Sequence, residues 1–287
     1  VAISDRVSII LPAKNEAVNL RKLLPELRQT LPDAEIIVID DGSTDDTVAI
    51  CKTNGVKVLS HQYSKGNGAS IKTGARAASN EILVFMDGDG QHKPTDVLKL
   101  LEQFREGYDM VVGARSAATQ ASVSRLVANS VYNKLSSWIS GQRIVDLTSG
   151  FRAVSGKKFR KFLYLLPNGF SYPTTITMAF FRAGFSVSYM DIEAGKREGK
   201  SHISLVKDGV RFFLIIFKIG TLYSPLKIFL PISFAFFFTG LAYYLYTYMQ
   251  FHTFTNMTGV LFITSIIVFL IGLVSEQVTT LIYKDSE

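Results

Sequence analysis

The chain has 287 residues, with 31 Lys and Arg against 24 Asp and Glu, a net charge of +7, and a single cysteine, Cys51. That length holds one large α/β domain with a small appendage, and one cysteine excludes an intramolecular disulfide framework. The positive balance points to nucleic acid, an anionic membrane surface or phosphate-bearing substrates; because Ile228 to Ser275 contains no Lys, Arg, Asp or Glu, membrane and phosphates come first and no nucleic-acid partner is expected.

Val1–Val7 has no apolar stretch ahead of its first charges, so no secretory signal is expected there. Short apolar runs follow at Val7–Leu11, Glu35–Ile39, Val56–Ser60, Ile82–Met86 and Met110–Gly113, and each reads as a strand. Between them, Asn19–Thr30, Asp46–Asn54, Asn67–Ala78 and Thr95–Glu106 carry helical periodicity. Strands alternating with helices of this length predict βαβ units and a mostly parallel sheet. Ligands of such sheets bind beyond the carboxyl ends of the strands. The polar clusters fall in those places: Pro12–Glu16, Asp40–Asp46, Asp87–His92 and Ala114–Arg115. Ser122–Ser140 predicts a further helix, and Ser186–Ile192 a last strand.

The tail holds two apolar stretches, about 228–249 and 257–276, each near the ~20 residues that span a bilayer as a helix. Pro231 is expected near the start of the first, where a missing N–H does least harm. Lys207, Arg211, Lys218 and Lys227 precede the first span and Lys284 follows the second, while the linker Gln250–Asn256 has neither Lys nor Arg. The positive-inside rule then places both termini and the front domain in the cytoplasm. The alternative for these stretches is a buried hairpin of a soluble protein. Along Ser204–Tyr223, Lys207, Arg211 and Lys218 fall within about 40° of one another on a helix of otherwise apolar character. A helix at the membrane interface and one packed on the domain both fit that pattern. The expected organisation is a domain at 1–203, an amphipathic interface helix at 204–225 and a transmembrane hairpin at 226–287. The paired spans also offer surfaces for a homo-oligomer.

Chemistry concentrates in two acidic clusters. Asp40-Asp41-Gly42-Ser43 ends the second strand, and Asp87-Gly88-Asp89-Gly90-Gln91 ends the fourth. Two carboxylates separated by one small residue can face one pocket and hold a hard divalent cation, Mg²⁺ or Mn²⁺, shared with substrate phosphates. Asp45 and Asp46 read better as helix caps. His61, His92 and His252 have no partners at metal-ligand spacing and are expected to be structural or exposed. Trp138 and the tail's Phe and Tyr read as core or membrane-facing groups.

These motifs resemble the dolichyl- and polyprenyl-phosphate sugar synthases of glycosyltransferase family 2, inverting enzymes of the GT-A fold. Ile-Leu-Pro-Ala-Lys-Asn-Glu at 10–16, Asp-Asp-Gly-Ser-Thr-Asp at 40–45, Asp-Gly-Asp-Gly-Gln-His at 87–92, Gly-Ala-Arg at 113–115 and Asp-Leu-Thr-Ser-Gly-Phe-Arg at 146–152 match its motifs in order. The resemblance spans residues 7–205, and the two-helix tail fits one branch of the same subfamily. It implies that Pro12, Lys14, Glu16, Asp41, Asp87, Gly88, Asp89, Arg115 and Arg197 bind a nucleotide-sugar. Asp89 and Gln91 would hold the metal, and Asp87, Asp89 and Asp146 would be catalytic. Arg125, Ser149 and His202 would meet the phosphate of a polyprenyl (dolichyl or undecaprenyl) acceptor. The segment Lys196–Ser201 resembles the family's basic loop over the donor, against the plainer reading of a solvated charge run. Asn67, Asn129 and His202 stand where the family commonly has Lys, Ser and Lys. The implied reaction is inverting transfer of a single sugar from GDP-mannose or a UDP-hexose to the polyprenyl phosphate at the cytoplasmic face. A processive polysaccharide synthase and an inactive membrane scaffold are the competing readings.

Overall fold

A computed structural model describes residues 7–115, 123–169, 171–192, 217–218 and 220–284. The chain forms two compact units, one of Val1–Ser137 with Gln142–Ile203 and one of Trp138–Gly141 with Ser204–Glu287. Most of the expected interface helix at 204–225 lies outside the described residues.

The first unit runs β1 (Val7–Ala13), α1 (Ala17–Thr30), β2 (Glu35–Asp40), α2 (Thr47–Thr53), β3 (Lys57–Ser60), α3 (Asn67–Ala77), β4 (Ile82–Phe85), α4 (Pro94–Phe104) and β5 (Met110–Arg115). It continues through α5 (Val123–Ser140), whose last three residues count with the second unit, β6 (Arg152–Ser155), α6 (Gly156–Arg160), α7 (Tyr172–Arg182) and β7 (Val187–Ile192). Seven strands make one sheet in the order β3-β2-β1-β4-β6-β5-β7. Strand β1 is parallel to β2 and β4, and β5 is parallel to β7. The central strands are apolar on both faces because helices cover both, so β1 reads Val-Ser-Ile-Ile-Leu with every residue buried. Leu20, Leu23, Leu24 and Leu27 of α1 and Val97, Leu100 and Leu101 of α4 pack into one core with Val7, Ile9 and Leu11.

Strand β6 departs from the parallel expectation. It is antiparallel to both β4 and β5, with Arg152 opposite Phe85 on one side and Val112 on the other. The entry to β6 therefore lies at the same sheet edge as the carboxyl ends of β4 and β5. That inversion brings Asp146–Phe151 beside Asp87–Gln91 and Arg115.

The second unit is built on α8 (Pro225–Phe251) and α9 (Asn256–Tyr283), both long and apolar enough to cross a bilayer. Pro225 takes the first helical position, so Pro231 falls inside the helix rather than near its start. In α8 the buried residues beyond Pro225 are Ser233, Gly240 and Thr247; in α9 they are Thr258, Ser265, Gly272, Thr279 and Tyr283. Small residues thus recur every seventh position on each helix and face the partner, the seam of two helices packed closely. Ser233 and Ser265 exchange hydroxyl-to-carbonyl hydrogen bonds of 2.9 Å across it. The carboxylate of Glu276 accepts the Leu226 N–H at 3.2 Å, capping the start of α8. Phe, Tyr, Leu and Ile side chains cover the outward faces.

Candidate active site

The loops after β1 and β2 are laced together. Thr44 N–H donates to the Asn15 side-chain oxygen at 2.8 Å, and Asn15 N–H to Ser43 Oγ at 2.9 Å. Asn15 takes a φ of 57°, which asparagine tolerates better than most residues. Asp45 accepts from Ala17 N–H at 3.1 Å and Thr47 N–H at 3.0 Å, so it ties the first turn of α1 to that of α2. Lys14 projects into solvent, and Pro12 and Glu16 are half-buried beside it.

Asp41 is buried and accepts four hydrogen bonds. Its oxygens meet His61 Nδ1 at 2.7 Å, Ser64 Oγ at 2.7 Å, Lys65 N–H at 2.8 Å and Gly66 N–H at 2.9 Å. His61 Nε2 in turn lies 3.0 Å from Thr73 Oγ1 on α3. Burial pushes the Asp41 carboxyl up, but the bonds from His61, Ser64, Lys65 and Gly66 outweigh it and hold the group at about 2. Against an ordinary aspartate of 3.8, that is worth roughly 2 kcal/mol of stability at neutral pH. The lowered folded value means the contribution is complete above about pH 4 and is lost as pH falls toward 2. Thermal unfolding of Asp41→Asn should therefore lie below wild type at pH 5–7, and the two curves should converge toward pH 2. Parallel curves across that window would dismiss the linkage. The following segment is closed off: Gly68 and Ala69 N–H at the start of α3 donate to the Gly169 and Asn168 carbonyls at 3.2 and 2.9 Å, so those donors are not open to a phosphate. Asn67 belongs to this packed turn.

The second cluster forms where β4, β5 and β6 meet. Asp87, Asp89 and Gln91 are half-buried at the end of β4. Asp89 accepts Gln91 N–H at 3.2 Å, closing a turn, and Gly88 N–H reaches the Pro12 carbonyl at 3.4 Å. A Cβ at Gly150 would stand 3.4 Å from an Asp87 oxygen and 3.3 Å from the Tyr172 hydroxyl. A glycine there lets the β6 loop lie directly on Asp87, while Tyr172 donates to the Gly150 carbonyl at 2.9 Å. Among the described residues no three His, Cys, Asp or Glu side chains converge to cage a metal. Two carboxylates and an amide oxygen fit a hard cation that completes its shell with diphosphate oxygens.

Arg115 and Asp146 are placed against each other. Arg115 Nε meets one Asp146 oxygen at 2.9 Å and Nη2 the other at 3.2 Å, with Nη2 also 2.6 Å from Thr148 Oγ1. Asp146, 5% exposed, accepts as well from the backbone of Arg115, Thr148 and Ser149 and from Thr148 Oγ1. Burial raises its carboxyl, but the bonds and charge of Arg115 with those of Thr148 bring it below the usual range. Ser149 Oγ is buried without a partner, unlike most such atoms. Arg152, fully buried, donates to the Ser149 carbonyl, to the Pro173 carbonyl at 3.2 Å and to Thr177 Oγ1 at 3.0 Å, and lies 5.8 Å from the Tyr172 ring centre. These acceptors are neutral, so among the described residues it holds the floor of this loop without an ion pair.

Of the expected site residues, Asp87, Gly88, Asp89, Gln91, Arg115, Asp146 and Ser149 come together at this junction, while Pro12, Lys14, Glu16 and Asp41 line the neighbouring strand ends. The side chain of Arg125, and all of Arg197 and His202, lie outside the described residues. Sequence reasoning named His61 as structural or exposed and Arg152 within the 146–152 block but gave neither its partners, and it gave Tyr172 no role. Their roles depend on pairings 12 to 25 residues apart in sequence, which no local pattern announces.

A family profile described as glycosyl transferase family 2 matches residues 8–164, and one described as the GtrB C-terminal hairpin matches residues 224–281. The chain is 29% identical to glycosyltransferase AglJ of Haloferax volcanii over 96% of this chain and 95% of that one. It is 28% identical to the polyprenol monophosphomannose synthase of Mycolicibacterium smegmatis over 68% of this chain and 79% of that one. Among solved structures, glucosyl-3-phosphoglycerate synthase from Mycobacterium tuberculosis, in complex with Mn²⁺, UDP-glucose and phosphoglyceric acid, matches with a TM-score of 0.62 at 21% identity, over 75% of this chain and 80% of that one. That last likeness is one of fold.

Proposed function

Since the chain belongs to glycosyl transferase family 2, we propose that it moves a single sugar, with inversion, from a nucleotide-sugar to a polyprenyl phosphate at the membrane surface. The carrying observation is the antiparallel β6, which joins the acidic Asp87–Gln91 turn to the Arg115–Asp146 block at one strand edge. The same chain bears a helix pair of bilayer-spanning length, and the relatives include a polyprenol monophosphomannose synthase. GDP-mannose and UDP-hexoses are the donors to try first. Basic residues flanking the helix pair favour a cytoplasmic catalytic domain.

A lipid phosphate oxygen attacks the anomeric carbon from the face opposite the nucleoside diphosphate. With a second pKa of ~6, that nucleophile is already ionised near neutrality, so the protein has little proton to remove and acts by alignment and charge. Asp89 and Gln91, with Asp87 alongside, would hold Mg²⁺ or Mn²⁺, which supplies positive charge to the departing diphosphate. Asp146 holds the Arg115 fork in place, and Arg115 Nη1, for which the described residues offer no partner, would face a phosphoryl group. Gly150 keeps the β6 loop close to Asp87.

The test incubates full-length protein in detergent with Mn²⁺, radiolabelled GDP-mannose or UDP-glucose and a polyprenyl phosphate. One labelled sugar per lipid is expected in the organic extract. A labelled polymer, or no label in lipid with any donor, would defeat the proposal.

A further inference from the structure

The group left over at the junction is His92. Only 7% of it is exposed, and its ring lies flat on Phe151, with centres 4.5 Å apart and planes 10° from parallel. Phe151 is itself fixed, since its carbonyl accepts Gly113 N–H at 2.9 Å and a Cβ at Gly113 would meet its ring at 2.6 Å. His92 thus stacks on a ring wedged against the strand that ends in Arg115, two residues from Ser149, and follows Gln91 directly in the chain. A parallel stack uses the faces of the imidazole and leaves both nitrogens on its edge, where hydrogen bonds are made in the ring plane. Neither nitrogen has a partner among the described residues. The buried side-chain atoms without a partner among the described residues are Asn67 Oδ1, Ser149 Oγ, Arg152 Nε and Tyr189 Oη; the His92 nitrogens are not among them, so the polar edge of the ring keeps access to the junction. An imidazole carries at least one N–H in either protonation state.

We propose that His92 is a ligand-contacting residue of the transfer site, its ring edge donating a hydrogen bond to a phosphoryl oxygen beside Arg115. This rests on the sugar-transfer reading above. The oxygen belongs either to the donor's diphosphate or to the lipid phosphate, which share the same chemistry.

Two substitutions separate contact from packing. His92→Phe keeps an aromatic ring on Phe151 and removes the donor, while His92→Gln loses the stack and keeps an N–H. His92→Phe should melt within a few degrees of wild type yet lose about tenfold or more in kcat/KM, the scale of one hydrogen bond to a charged acceptor. His92→Gln should recover part of that loss. A raised KM for the nucleotide-sugar assigns the oxygen to the donor, and a raised KM for polyprenyl phosphate assigns it to the acceptor. Wild-type activity in His92→Phe, or a His92→Gln variant less active than it, would overturn the inference and leave His92 a packing residue. Should wild-type protein transfer no sugar to polyprenyl phosphate, the function falls while His92 is still tested by titrating nucleoside diphosphate with Mn²⁺, and separately a short polyprenyl phosphate. Weaker binding of either by His92→Phe supports the contact, and unchanged affinity for both overturns it.

Discussion

Asp89→Ala is expected to lower sugar transfer by at least about 10³-fold while the protein purifies and unfolds in detergent as wild type does. The two halves of that expectation come from different observations. Asp89 is half-buried and its bond within the protein is a 3.2 Å turn contact to Gln91 N–H in its own loop, so its removal should cost the fold no more than an ordinary surface change, within about 0.5 kcal/mol. In the proposed reaction its part is larger, because a cation that neutralises a leaving diphosphate acts where charge develops in the transition state. The loss should fall in kcat and in metal affinity together, with excess Mn²⁺ restoring little. Asp87→Ala is a less clean test, since Asp87 lies against Gly150 and near the Tyr172 hydroxyl and its loss disturbs the loop as well. Near-normal turnover by Asp89→Ala, at any Mn²⁺ concentration, would remove the carboxylate from the mechanism.

Sequence alone gave access to the parallel half of the sheet because its strands are apolar on both faces and separated by amphipathic helices. β1, β2, β4 and β5 were legible for that reason, and β7 differs from its expected span by one residue. β6 was not. It is four residues long, opens on an arginine that is fully buried, and runs antiparallel to both neighbours; direction of pairing is a non-local property with no local signature. The same inversion assembles the site, so the Asp87 turn and the Asp146 block could be found as motifs while their juxtaposition could not. The helix hairpin shows the converse. Its seven-residue spacing of Ser, Gly and Thr is present in the sequence, but a reading by apolar content treats those residues as interruptions. Against lipid the order is reversed, with the apolar side chains outward and the small polar ones forming the contact. His61, expected to be structural or exposed, is structural, held between Asp41 and Thr73, although those non-local partners have no signature in the sequence.

Asp146→Asn separates two roles, a base for the acceptor and the fixture for Arg115 that their paired hydrogen bonds suggest. A general base needs a free lone pair and a pKa near the operating pH. Asp146 has neither, since Arg115, Thr148 and Ser149 occupy its oxygens and its carboxyl is held below the usual range. Asparagine would keep one acceptor oxygen and turn an NH₂ toward donors. The buried half of an ion pair would be lost and several N–H groups left unmet, a change worth about 2–4 kcal/mol. The variant should therefore melt lower and lose about 10²-fold in kcat/KM, both through a misplaced Arg115. Arg115→Met should cost activity to a similar degree, and the double variant should cost little more than either alone, the non-additivity expected of residues acting as one unit. The wild-type pH profile should fall on the acid side near ~6, where the lipid phosphate takes up its second proton, and that limb should persist in Asp146→Asn. A variant that melts as wild type but transfers no sugar, or one that abolishes the acid limb, would return Asp146 to the role of base. An additive double variant would instead sever it from Arg115.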